Sequence, residues 1–272
     1  MSQVSKFHQV ILDNIASRRA LVVEGKTDRL FFERQLDAAH NGWRSKWLIG
    51  EANGKQRVLD ILALQPTWIG IVDTDEWDTG TVTTLKSQYP NLHFMPRYCV
   101  ESYYILASEI WALLQPAHQK AIRGGLPAFT TAINATLDQW VRHGALWRTI
   151  NPLWKGIQTR GFVKSLLNLS AAQSDTQIQS TLAAWDAYLD PNVLFADFQR
   201  ELSAANAAAV DDRLKTVVHG KTFFEDHVRV TLNTLFRSGQ SEWSADDWLK
   251  DLRQSQPAHP DFAPLWSAMG LP

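Results

Sequence analysis

Apolar residues along the first hundred positions alternate between two rhythms. Val4, Phe7, Ile11 and Ile15 recur at helical spacing. Ala20-Leu-Val-Val23 is a short, continuous apolar run that reads as a buried strand ending on Glu24-Gly25. The pattern then predicts a helix over 27–39, with Leu30, Phe31 and Leu36 inward. A second strand follows at Trp47-Leu-Ile49. Asn53-Gly54 turns the chain into a helix over 55–64, and Trp68-Ile-Gly-Ile-Val72 forms a third strand ending on Asp73. A helix over 81–88 leads to a fourth strand, Leu92-His-Phe-Met95. Strand–helix alternation of this kind predicts an α/β fold, a Rossmann-like parallel sheet with helices on both faces.

Beyond residue 107 the strands stop. Segments 108–143, 176–206, 221–236 and 243–253 read as helices, interrupted by Pro116, Pro127, Pro152 and Pro191. The change of texture divides the chain into a sheet domain over 1–107 and a mainly helical part over 108–272.

Composition narrows the choice of chemistry. At 272 residues the chain can bury one large core or two modest ones. No apolar run approaches the ~18 residues that cross a bilayer, and the first twenty positions lack the apolar core of a signal peptide. The expectation is a soluble cytoplasmic protein with no membrane partner. One cysteine, Cys99, excludes an internal disulfide and a zinc finger. With a net charge of −1, any nucleic-acid binding must use a local positive field. One stretch offers it: Gln139 to Ser174 contains no acid but holds Arg142, Arg148, Lys155, Arg160 and Lys164, interleaved with Trp140, Trp147, Trp154 and Phe162. Basic residues among aromatics suit phosphate tracking and base stacking. The alternative is a helical core of tryptophans whose basic face pairs with acids elsewhere.

Acids gather at strand ends, where open parallel sheets collect their ligands. Glu24 follows the first strand, and Asp73 and Asp75 follow the third. Asp28 lies one helical turn after Glu24 and faces the same cleft if the helix begins there. Such carboxylates repel one another unless a cation intervenes, and an all-oxygen set favours Mg²⁺ or Mn²⁺. The plainer account of each is a solvated acid at a turn; Glu76 and Asp78 read that way. Ala20 to Thr27 also fits a loose Walker A pattern. Its four variable residues are Leu-Val-Val-Glu, however, which form the strand itself and leave no phosphate-wrapping loop.

Three segments in order, Val22-Val-Glu24-Gly25-Lys-Thr-Asp28, Asn53-Gly-Lys55 and Ile71-Val-Asp73-Thr-Asp75, resemble the motifs of the toprim fold. Asp28 resembles the second acid of the overcoming-lysogenization-defect (OLD) nucleases. Pro96-Arg97-Tyr-Cys-Val-Glu101-Ser-Tyr-Tyr104 resembles a segment of stand-alone bacterial toprim proteins, with Ser102 in place of the usual Asn. Those proteins pair with ABC-type ATPases in anti-phage defence of the PARIS type. His219-Gly220-Lys221 resembles the Gly-Lys of their helical tails. The strong part of the resemblance covers residues 20–105. It implies an endonuclease acting on DNA or structured RNA such as tRNA, with one or two metal ions. By the same resemblance Glu24, Asp73 and Asp75 are metal ligands, Asp28 and Glu101 complete a second position, and Lys221 neutralises the scissile phosphate. Arg97 either binds phosphate or pairs with an acid. The implied partners are nucleic acid and an ATPase, and the chain is a monomer or a homodimer. The rival reading is a receiver-like regulatory module that binds Mg²⁺ without catalysis.

Overall fold

The computed structural model describes residues 3–74, 77, 79–159, 174–237 and 239–271. The N-terminal region alternates as its apolar pattern predicts: α1 (Gln3–Ile15), β1 (Arg19–Val23), α2 (Lys26–Ala39), β2 (Trp47–Glu51), α3 (Lys55–Leu64), β3 (Ile69–Val72), α4 (Thr79–Gln88) and β4 (Leu92–Phe94). The helices α5 (Ala107–Leu113), α6 (Pro116–Ala121), α7 (Gly125–Ile133), α8 (Leu137–Thr159), α9 (Asp175–Tyr188), α10 (Pro191–Ala207) and α11 (Val210–Asp212) follow. The described chain closes with α12 (Gly220–Phe223), α13 (Arg229–Phe236), α14 (Ala245–Gln254) and α15 (Ala263–Ala268). Among the described residues no helix is long and apolar enough to cross a membrane.

All strand pairs are parallel, in the order β2-β1-β3-β4. The chain therefore moves outward from β1 to β2, crosses back over β1, and continues outward through β3 and β4. The carboxyl ends of β1 and β3 stand side by side where that direction reverses, the place where open α/β sheets form a ligand crevice.

Side chains alternate along β1. Ala20 and Val22 join Ile11 and Ile15 of α1 and Val58, Ile61 and Leu62 of α3 in one buried cluster. Phe31 and Phe32 of α2 are 0% and 1% exposed and pack with rings that arrive much later in sequence. Phe262 lies 5.5 Å from Phe31 and 5.2 Å from Phe32, and Tyr103 lies 5.2 Å from Phe31. Arg19 Nη2 and Trp47 Nε1 both donate to the Met269 carbonyl at 3.1 Å.

Two compact units result: residues 1–135 with 220–272, and residues 136–219. The division falls elsewhere than the change of texture at residue 107, because the helices after 220 supply part of the sheet unit's aromatic core. In the second unit α8 packs along α10, and α8 runs through Pro152 rather than breaking there. Pro116, Pro127 and Pro191 instead fall in first turns of helices, where the missing N–H costs little.

Candidate metal centre

The end of β1 delivers Glu24 to the end of β3. The β1–β3 register pairs Leu21 with Ile69 and Val22 with Gly70, which sets Glu24 level with Val72. Glu24 Oε1 accepts the backbone N–H of Asp73 at 3.0 Å. The turn after β2 is stitched to the same place: Ala52 N donates to Val23 O at 2.9 Å and Gly54 N to Glu24 O at 3.0 Å. Asn53 and Gly54 hold φ values of 62° and 122°, and the glycine accepts this left-handed geometry without strain. That turn starts α3 with Lys55 aimed inward. The Lys55 ammonium forms an ion pair with Asp73 Oδ1, with the two side chains only 8% and 17% exposed. It also stands 5.3 Å from the ring centre of Trp77.

Asp28 enters from the first turn of α2, where its Oδ2 accepts the Gly25 N–H at 3.1 Å. The same carboxylate thus steadies the start of the helix. Burial, and then the negative charge of Glu101, push the Asp28 carboxyl up to about 6; the Gly25 N–H and the Lys55 charge offset this in part. Glu101 lies in a short 3-10 turn over Val100–Tyr103. Glu24 is thus bonded to the Asp73 backbone and Lys55 to the Asp73 side chain, while the charges of Lys55 and Glu101 both reach Asp28. Asp75, Glu76 and Asp78 lie outside the described residues. Among those described, no three His, Cys, Asp or Glu side chains form a group that could hold a metal ion as they stand.

The Gly220-Lys221 pair reaches the same neighbourhood. A Cβ at Gly220 would come within 2.3 Å of Ser102 Oγ and 3.0 Å of Cys99 Sγ, so only glycine permits this approach to the turn that carries Glu101. Lys221 follows, exposed and without an ion pair among the described residues. Gly220→Ala is expected to cost about 1–3 kcal/mol in a urea melt, as overpacking does. An unchanged midpoint would mean that the turn yields freely.

Arg97 is placed differently from a phosphate contact. It is 3% exposed and donates to both oxygens of Glu109 at 2.6 and 2.7 Å, to the Ser102 carbonyl at 2.9 Å and to His259 Nε2 at 2.9 Å. Asp261 lies 3.4 Å away, and the Tyr103 ring packs 4.2 Å from the guanidinium. Both terminal nitrogens donate inside the fold, and Nε faces Asp261 without a hydrogen bond, an arrangement that matches the pairing alternative. Burial alone pushes the Glu109 carboxyl up, but the hydrogen bonds and charge of Arg97 prevail and hold it at about 2.

In the other unit Arg142 lies over Phe198 at 5.5 Å, and Arg148 bonds to the Thr216 carbonyl with Glu201 at 4.0 Å. These two basic residues use neighbours of their own unit. Arg160 and Lys164 lie outside the described residues, as does the side chain of Lys155. No protein-family model matches the chain, and no curated protein matches it. Lys55 carried a legible signal that composition alone does not give: an Asn-Gly turn fixes the direction of the residue after it.

Proposed function

We propose that this chain is a toprim-type endonuclease that hydrolyses phosphodiester bonds with Mg²⁺ or Mn²⁺. The observation that carries the reading is the Glu24 carboxylate bonded to the Asp73 N–H at the switch point of a parallel sheet, with the charges of Lys55 and Glu101 reaching Asp28. The donor set fits a hard divalent cation in type and charge, since every acid offers oxygen. Burial first, and the charge of Glu101 second, raise the Asp28 carboxyl, and a bound cation would offset both. Glu24, Asp73 and Asp28 would hold the ion, with Glu101 beside them and Asp75 joining from the loop after β3. A bound divalent cation would supply the charge that activates a water for attack and stabilises the leaving oxygen.

The protein's own groups do the rest. The Asp73 N–H fixes the orientation of Glu24, and the Lys55 ammonium, paired with Asp73, fixes that carboxylate beside it. Exposed Lys221 then offers charge to a substrate phosphate. Purified protein with Mg²⁺ or Mn²⁺ is expected to nick plasmid or cut total tRNA, and EDTA to stop it. An intact plasmid and intact tRNA under both metals would overturn the reading. Service as a defence effector under an ABC-type ATPase belongs to the same proposal and rests on the resemblance of residues 20–105.

Asp28 gives the proposal a pH signature. Its folded pKa is raised, so its contribution to metal-free stability is present below 3.8 and is lost as pH rises through about 6. A bound ion demands the deprotonated form, so affinity runs the other way. Calorimetry is expected to show proton release near pH 6 and roughly tenfold weaker Mg²⁺ binding per pH unit below it. Asp28→Asn removes that dependence.

One observation favours a second reading. The Lys55–Asp73 ion pair at the end of β3 also suits a receiver-like module with Asp73 as phosphoacceptor. Acetyl phosphate labelling of Asp73 in a chain that cleaves nothing would select it.

A further inference from the structure

A trough of about 630 Å³ runs between α2 and α14, within the size range of ligand sites. Lys26, Arg34, Lys250 and Arg253 line it, and Asp246 is the acid among the lining residues. In a chain of net charge −1 this is a concentrated positive field. None of the four cations belongs to an ion pair among the described residues. Arg34 Nη2 donates to the Gln254 carbonyl at 2.9 Å, which fixes its guanidinium, and the Nε atoms of Arg34 and Arg253 are buried with no hydrogen-bond partner.

Lys26 and Thr27, at one end of the trough, lie in the sequence between Glu24 and Asp28 on the first turn of α2. From Lys26 to Arg34 the helix advances roughly 12 Å, the axial rise of about three nucleotides of one strand. We propose that this trough seats the phosphate backbone of a nucleic-acid strand and leads it to the acidic end of the sheet. The inference rests on the endonuclease reading for its destination. The binding itself stands on the cations.

The test uses the full chain carrying Glu24→Gln, so that a labelled oligonucleotide stays intact during anisotropy titrations. Lys26 and Lys250 are exposed, so their reversal leaves the core untouched. K26E/K250E is expected to weaken binding of a 12-nucleotide DNA or RNA at least tenfold at low salt. The slope of log affinity against log salt should fall by about 1.4, two phosphate contacts at ~0.7 each. K26R/K250R should bind like the parent, and Asp246→Asn should bind more tightly. Parental affinity and slope in K26E/K250E would overturn the proposal, as would a parent that binds no oligonucleotide. Free AMP or inorganic phosphate competing as well as the oligonucleotide would also overturn it, by assigning the trough to a small anion. Mg²⁺ calorimetry separates the two readings. Lost metal binding in the wild-type chain with a salt-dependent trough intact sinks only the endonuclease; cleavage that ignores both lysines sinks only the trough.

Discussion

Glu24→Gln is expected to lower Mg²⁺-supported cleavage by about 10²–10⁴-fold while leaving the melting temperature nearly unchanged. The side chain has two duties, and this substitution separates them. Its Oε1 accepts the Asp73 N–H at 3.0 Å, a bond that the glutamine carbonyl can reproduce. The negative charge that would hold a divalent cation is lost. Glu24→Ala removes both, so it is expected to lose activity and also about 1–3 kcal/mol of stability through the unpaired Asp73 N–H. Cleavage and thermal melts of the two variants side by side decide the matter. Full activity in Glu24→Gln would mean that the carboxylate at the end of β1 is no ligand, and the metal proposal would fail with it.

Arg97→Met is expected to destabilise the fold by about 3–5 kcal/mol, the usual result of stripping one partner from a buried ion pair. The loss follows from geometry: a 3% exposed guanidinium is met by Glu109, Ser102, His259 and Asp261, and its removal leaves Glu109 without its main donors. Urea denaturation measures the loss, and a double-mutant cycle with Glu109→Gln apportions it. The pH dependence supplies a second readout. Glu109 has its folded pKa depressed from 4.5 to about 2, so the pair's stabilisation is present above 4.5 and is lost as pH falls towards 2. Arg97→Met should flatten that acid limb. A nucleic-acid contact at Arg97 would behave oppositely, with stability kept and the salt slope of binding reduced.

The sheet was legible because its strands are short apolar runs, the first three closed by Gly or acid and the fourth followed by Pro96, and because helical spacing fills the intervals between them. The acids were legible for a related reason, since a carboxylate directly after a buried strand lies at the carboxyl end of the sheet. Three features were not. Strand order is invisible to local pattern, so the adjacency of β1 and β3, on which the Glu24–Asp73 contact depends, had to be seen in three dimensions. Arg97 finds Glu109 and Asp261 through the fold, and no spacing announces a partner 164 positions downstream. The segment 136–219 forms its own unit inside a helical texture that continues on both sides of it. Helical periodicity reports which face is apolar and is silent about which neighbour covers it.

The return of the chain to Met269 has a consequence in time. Arg19 and Trp47 complete their hydrogen bonds only with a carbonyl 250 and 222 residues further on. At ordinary elongation rates of ~5–20 residues per second, roughly 12–50 s pass between synthesis of the first strand and arrival of that acceptor. During this interval the nascent sheet lacks the rings of Phe262 and Trp266 that cover Phe31 and Phe32, so its aromatic core closes long after its strands are made.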